Sequence, residues 1–151
     1  MTLRDRLQTA LKDAMRAREP DRLSTLRLIN AAIKDREIAL RGEGAEDVSE
    51  AEITAILSRM VKQRQESARA YEEGGRLELA EKELDEIKVI EEFLPRQLAA
   101  EEVEAAIVAA MSETGAAGIR DMGKVMAALK SRHTGQMDFA AVGPMVKARL
   151  S

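Results

Sequence analysis

Apolar residues recur every three to four positions along the chain, the spacing that gathers side chains on one face of an α-helix. Leu3, Leu7, Leu11, Ala14 and Met15 form the first such stripe. Thr2 is placed to cap it, with Asp5 three residues on. Glu19-Pro20 interrupts the pattern, because the residue before a proline is pushed out of the α region. Pro20 then suits the first turn of a second helix, which carries Leu23, Leu26, Ile29, Ile33 and Leu40 and ends near Gly42. Residues 42–47 are polar with two glycines and read as a loop. Ser49-Glu50-Ala51-Glu52 reads as a capping box, in which Ser49 covers a free N–H and Glu52 reaches back. The third helix that follows has a seam of Ile53, Leu57, Met60, Arg64, Ser67 and Tyr71, and Gly74-Gly75 stops it. A fourth stripe, Leu77, Ala80, Leu84, Ile87, Ile90 and Leu94, ends before Pro95. Four such segments joined by short turns predict an antiparallel four-helix bundle over residues 1–95.

Three shorter stripes fill residues 96–151. Val103, Ala106, Ile107, Ala110 and Met111 form one, followed by Gly115 and Gly118. Met122, Met126 and Leu129 form the next, ending near Thr134-Gly135. Asp138 is placed to cap the last, with Phe139, Val142, Val146 and Leu150 inward. Pro144 removes a helical hydrogen bond inside that pattern, so a kink or a helix restart is expected there. The expected fold is all-α: a four-helix N-terminal bundle, then a small three-helix C-terminal unit. Five of the eight methionines lie between Met111 and Met145, and Met122 and Met126 read as core filling.

Composition narrows the chemistry. The chain has 151 residues, no Cys and one His, so disulfides, cysteine nucleophiles and thiolate metal sites are excluded. A zinc site, which takes several His or Cys ligands, is not expected. The aromatics are Tyr71, Phe93 and Phe139, a poor platform for stacking bases. No apolar run is long enough to span a membrane, and the first fifteen residues are too charged for a signal-peptide core. The cytoplasm is therefore the expected compartment.

The net charge of −3 conceals an asymmetry. Residues 1–42 carry 10 basic and 6 acidic side chains, and residues 43–95 carry 7 and 15. Residues 96–118 carry 1 and 4, and residues 119–151 carry 6 and 2. Two basic ends flank an acidic middle, which leaves room for a local anionic partner.

Candidate constellations each have a plain structural counterpart. Gly115-Ala116-Ala117-Gly118 could hold an anion on exposed N–H groups, but a helix–helix turn explains it as well. The carboxylate pairs Glu72-Glu73, Asp85-Glu86, Glu91-Glu92 and Glu101-Glu102 point about 100° apart on a helix and do not converge on one pocket. His133 stands beside Lys130 and Arg132 with no local acid to orient it, so helix termination is the reading preferred. Arg64 falls on an apolar seam and Asn30 is expected to face inward; the two read as a polar seam that fixes helix register, with a ligand groove as the rival for Arg64. Asn30 or an acid among residues 83–86 is the expected partner of Arg64. The basic cluster Arg120, Lys124, Lys130, Arg132, Lys147 and Arg149 suits either a solvated surface or contact with phosphates.

Several of these segments, in order, resemble the GatB/YqeY family. Met122-Gly123-Lys124-Val125-Met126, with Leu129-Lys130 following, is similar to its MGKVM…LK signature, as are the spacing to Asp138 and the run from Val146 to Leu150. Leu26-Arg27-Leu28-Ile29-Asn30-Ala31-Ala32-Ile33-Lys34 resembles the family's LRLINAAIK segment. Residues 62–67 (KQRQES) and 93–98 (FLPRQL) match it too. The resemblance covers nearly the whole chain and implies a four-helix unit followed by a three-helix unit. It implies kinship with the tail of the B subunit of glutamine-dependent tRNA amidotransferases, a tail that contacts tRNA while the chemistry lies elsewhere. A carbon–nitrogen ligase label with glutamine as amido donor would attach to this chain by that association alone. One departure concerns the helix near Glu101, where the family often has a Ser cap and this chain has Ala99-Ala100, a loss of about 1 kcal/mol.

The expected function is a non-catalytic helical module that binds tRNA, with Lys124, Lys130, Arg132 and Lys147 as phosphate contacts, or that engages tRNA aminoacylation or amidation machinery. The alternative is a protein-interaction adaptor using an apolar groove between the two units. No catalytic residue, cofactor or metal is assigned.

Overall fold

The computed structural model describes residues 1–44 and 47–151. Among these residues the chain is all-α, with seven α-helices and no strand. Contacts divide it into two compact units, Met1–Leu94 and Pro95–Ser151.

The first unit holds α1 (Leu3–Arg16), α2 (Pro20–Gly42), α3 (Glu50–Glu73) and α4 (Leu77–Glu91). Thr2 and Asp5 close a complete capping box: Asp5 N–H donates to Thr2 Oγ1 at 3.1 Å, and Thr2 N–H donates to Asp5 Oδ2 at 3.2 Å. Donation from Thr2, its backbone N–H first and its side chain second, holds the Asp5 carboxyl below its ordinary value. The α1–α2 reversal is made at Arg18, which takes a left-handed φ of 55°, and Pro20 opens α2 as expected. Of the loop expected over residues 42–47, Gly42 closes α2, and residues 45–46 lie outside the described residues.

The start of α3 forms half of the expected box. Glu52 N–H donates to Ser49 Oγ at 3.1 Å, but the Glu52 carboxylate does not return to Ser49; Arg36 of α2 takes it at 2.9 Å. Val48 and Ile53 occupy the positions of a hydrophobic staple, and both are buried in the core. Gly75, with φ 73°, ends the α3 turn in a conformation that a Cβ would strain.

The core of this unit is Leu7, Leu26, Ile29, Ile33, Ile53, Leu57, Ile90 and their neighbours, closed by Phe93. Three residues of the expected stripes face solvent: Met15, Leu77 and Leu84 are 53%, 67% and 42% exposed. The α4 stripe is narrower than its spacing suggested, because Ala80, Ile87 and Ile90 fill the side that meets the core. Leu77 is moreover the first residue of the helix, and Leu84 sits on the flank.

Arg64 on α3 reaches Glu86 on α4, with Nε donating to Oε2 at 2.8 Å, and its Nη1 donates to Met60 O at 3.3 Å. The two side chains are 14% and 19% exposed. Asn30 does not share this seam. It is exposed and accepts from Gln8 Nε2 on α1 at 3.2 Å, because its position lies on the rim of the α1–α2 contact rather than on the core face.

The second unit holds α5 (Ala100–Thr114), a short 3-10 turn (Ile119–Asp121), α6 (Met122–Arg132) and α7 (Phe139–Leu150). Its core is Ile107, Ala110, Val125, Leu129, Met137, Val142, Val146 and Leu150. Val125 is fully buried although the apolar stripe of α6 passed it by; Met122 and Met126 flank it. Asp138 caps α7 by accepting from Ala140 N–H at 3.0 Å. Pro144 sits inside that single helix with no restart: it is exposed, and it removes only the N–H that would have met Ala140 O.

Ala99 supplies no side-chain cap to α5, and Glu102 compensates. Its carboxylate accepts from Ala99 N–H at 3.1 Å and from both Nη atoms of Arg96 at 2.8 Å. The segment ahead of α5 is further tied to the α6–α7 loop, where Leu98 N–H donates to Gln136 O at 2.9 Å and Gln136 Nε2 donates to Arg96 O at 3.1 Å.

Two outcomes follow from these contacts. Arg64→Ala leaves Glu86 half-buried without its partner, and stability should fall by about 2–3 kcal/mol, read from urea titration. A loss under about 0.5 kcal/mol would make the pair a surface contact.

The second concerns acid. The Glu102 carboxyl lies at about 2 against an ordinary 4.5, first because Arg96 donates to it and then because Ala99 N–H does. A carboxyl depressed by folding stabilises above its unfolded value, and that contribution is lost as pH falls through its folded value. The stability gap between parent and Glu102→Gln should therefore be open at neutral pH, begin to close below about 4.5 and vanish near 2. Added salt should shrink it, since the group is solvent-accessible. Thermal melts followed by circular dichroism test this; coincident acid profiles for the two proteins would exclude Glu102 as the anchor of α5.

Candidate functional site

The basic cluster of the second unit stands on two helices. Lys124, Lys130 and Arg132 lie on α6, and Lys147 and Arg149 on α7; all five are exposed. Their surroundings differ. Arg132 is paired with Glu113, and Arg149 with Glu104, both acids on α5. Lys124 Nζ stands 3.9 Å from Asp121 one turn back. Lys130 and Lys147 have no carboxylate partner among the described residues.

The α6 cations do not share one ridge. At about 100° per residue, Arg132 stands about 80° around the helix from Lys124, and Lys130 about 120° to the other side. Val125 and Leu129, turned to the core, stand about 100° and 140° from Lys124, so Arg132 lies beside Val125 on the side that meets Glu113, while Lys124 and Lys130 fan across the solvent half of α6. Such a fan fits a broad, curved polyanion better than a single small anion.

The glycine-rich turn after α5 is already occupied. Asp121 Oδ2 accepts from Ala117 N–H at 2.9 Å and from Gly118 N–H at 3.3 Å, while Ala116 N–H donates to Met111 O at 3.1 Å. The chain's own carboxylate fills the cradle that an anion would need. Those N–H donors, Ala117 first, hold the Asp121 carboxyl below its ordinary value, with Lys124 and Arg120 adding to the effect.

His133 Nδ1 lies 3.0 Å from Gln136 Oε1, a contact within the α6–α7 loop, and no acid orients the ring among the described residues. No group of three or more His, Asp or Glu among the described residues is arranged to hold a metal ion. Glu86, the partner of Arg64, lines a cleft of about 340 Å3 between α2 and α4, together with Asp21, Thr25, Glu78, Asp85 and Val89. Arg64 is thus spent on an acid beside that cleft rather than offered to a ligand. Sequence reasoning missed the neutralising acids Glu104 and Glu113, because they come from another helix and no local spacing links them to their arginines.

No helix among the described residues is long and apolar enough to cross a membrane. The family model described as "Yqey-like protein" matches residues 4–150. Three yeast proteins, each named "Altered inheritance of mitochondria protein 41, mitochondrial", are similar to this chain. That of Lachancea thermotolerans is 32% identical over 98 residues, 65% of this chain and 51% of the relative. That of Clavispora lusitaniae is 38% identical over 88 residues, 58% of this chain and 49% of the relative. That of Saccharomyces cerevisiae strain YJM789 is 31% identical over 88 residues, 58% and 46%. The chain thus spans about half the length of the curated relatives it matches.

Proposed function

Because the chain belongs to the YqeY-like family, we propose that it is a non-catalytic helical module that binds tRNA through the cations of its C-terminal unit. In this reading the partner is tRNA or tRNA-handling machinery, of which an amidotransferase is one kind, and the setting is the cytoplasm. The observation that carries it is the exposure of Lys130 and Lys147 with no carboxylate partner among the described residues. A lysine already neutralised releases little from a phosphate backbone; one left charged contributes in full. Shape and backbone recognition of a folded RNA needs no aromatic platform, which suits a chain with one Tyr and two Phe.

Binding of a tRNA transcript at several salt concentrations tests this. Lys130→Ala and Lys147→Ala should each lower the slope of log affinity against log salt by roughly 0.7–0.9. Arg132→Ala should lower it less, since Glu113 already neutralises that guanidinium. Different tRNAs should weaken by similar factors, because no base edge is read. If the quadruple Ala variant at Lys124, Lys130, Arg132 and Lys147 binds like the parent with the same slope, the patch is only a solvated surface and the protein-adaptor reading takes its place.

The chain alone should form no amide bond. It has no Cys, and its single His meets an amide rather than an acid. Glutamine, ATP and a mischarged tRNA supplied together should yield no amidated product above buffer. Turnover by the pure chain, abolished by one point substitution, would overturn the non-catalytic assignment.

A further inference from the structure

A second group of cations without carboxylate partners gathers on the first unit, where α1 and α2 pack as neighbours. Between these helices runs a cleft of about 250 Å3 lined by Arg4, Gln8, Asn30, Lys34 and Glu37, with Leu7 and Ile33 as its floor. Positions three and four apart stack on one side of a helix. Arg27, Asn30 and Lys34 therefore form one rim, and Arg4, Gln8 and Lys12 the other. Lys12, Arg27 and Lys34 are exposed and have no carboxylate partner among the described residues. The acid lining the cleft, Glu37, is taken by Arg4. Gln8 Nε2 donates to Asn30 Oδ1 at 3.2 Å, which leaves the Asn30 amide N–H groups to donate outward.

We propose that this α1–α2 groove is a second contact surface for RNA, taking the phosphodiester backbone between its two rims. It shares its partner class with the C-terminal proposal but none of its residues. Cations on both sides with amide donors between them are the chemistry of phosphate and ribose contact. A protein partner would seek apolar anchors. Here the apolar floor is out of reach, with Leu7 and Ile33 only 6% and 4% exposed.

The test uses the full chain and a fluorescently labelled tRNA transcript, with anisotropy read across a salt series. Arg27→Ala with Lys34→Ala should lower the salt slope by about 1.4–1.8 relative to the parent. The thermal melt should stay unchanged, since both side chains are exposed. Asn30→Ala should weaken binding at fixed salt without altering the slope, because it carries no charge. A parental slope in the Arg27/Lys34 double variant, beside a reduced slope in a Lys130/Lys147 double variant, would overturn the groove and leave the C-terminal reading standing. The reverse pattern would keep the groove and remove that reading. Displacement of the tRNA from the Lys130/Lys147 double Ala variant by polyglutamate at equal charge concentration would show that the groove takes any polyanion, and would overturn its assignment to RNA.

Discussion

Carboxylate neutralisation governs the surface of this chain, and arginine carries out much of it between helices. Arg4–Glu37, Arg22–Glu92, Arg36–Glu52, Arg64–Glu86, Arg132–Glu113 and Arg149–Glu104 each join one element to another through a guanidinium. The planar fork of arginine suits fixed two-point contact between helices, whereas a lysine ammonium is a hydrated point charge on a flexible stem. In a chain that is 34% charged, such pairing decides which cations remain for anything else. Lys12, Arg27, Lys34, Lys130 and Lys147 are among those that remain.

The helices were legible because their signals are local. Thr2 with Asp5, Pro20, Gly74-Gly75 and Asp138 each act within a few residues of themselves, and each stands where its chemistry placed it. What failed involved a competitor from elsewhere in the fold or a stripe read too broadly. Glu52 abandons its own cap for Arg36 on another helix. Leu77 and Leu84 share the spacing of Ile87 and Ile90, yet a three- and four-residue period does not say which flank the next helix covers. Asn30 stands one position from the buried Ile29, and that single step carries it about 100° out to the rim.

The candidate surface was legible in composition and not in detail. The basic cluster at residues 119–151 could be counted from the sequence, but the counts give no sign that Arg132 and Arg149 are already engaged by α5. The glycine-rich turn shows the same limit. Ala117 and Gly118 donate to Asp121, a residue only a few positions on, so the acid was in view. Its bend back over the turn depends on the short 3-10 segment, which no hydrophobic period announces.

The division between paired and unpaired cations separates what holds the molecule together from what it shows to others. A change confined to lysine, whether by drift at the codon or by acylation of the ammonium, alters the outward potential and leaves the arginine struts between helices in place. The fold and its partner can therefore evolve on different clocks, one recorded in guanidinium–carboxylate pairs and the other in solvated cations such as Lys34, Lys130 and Arg27.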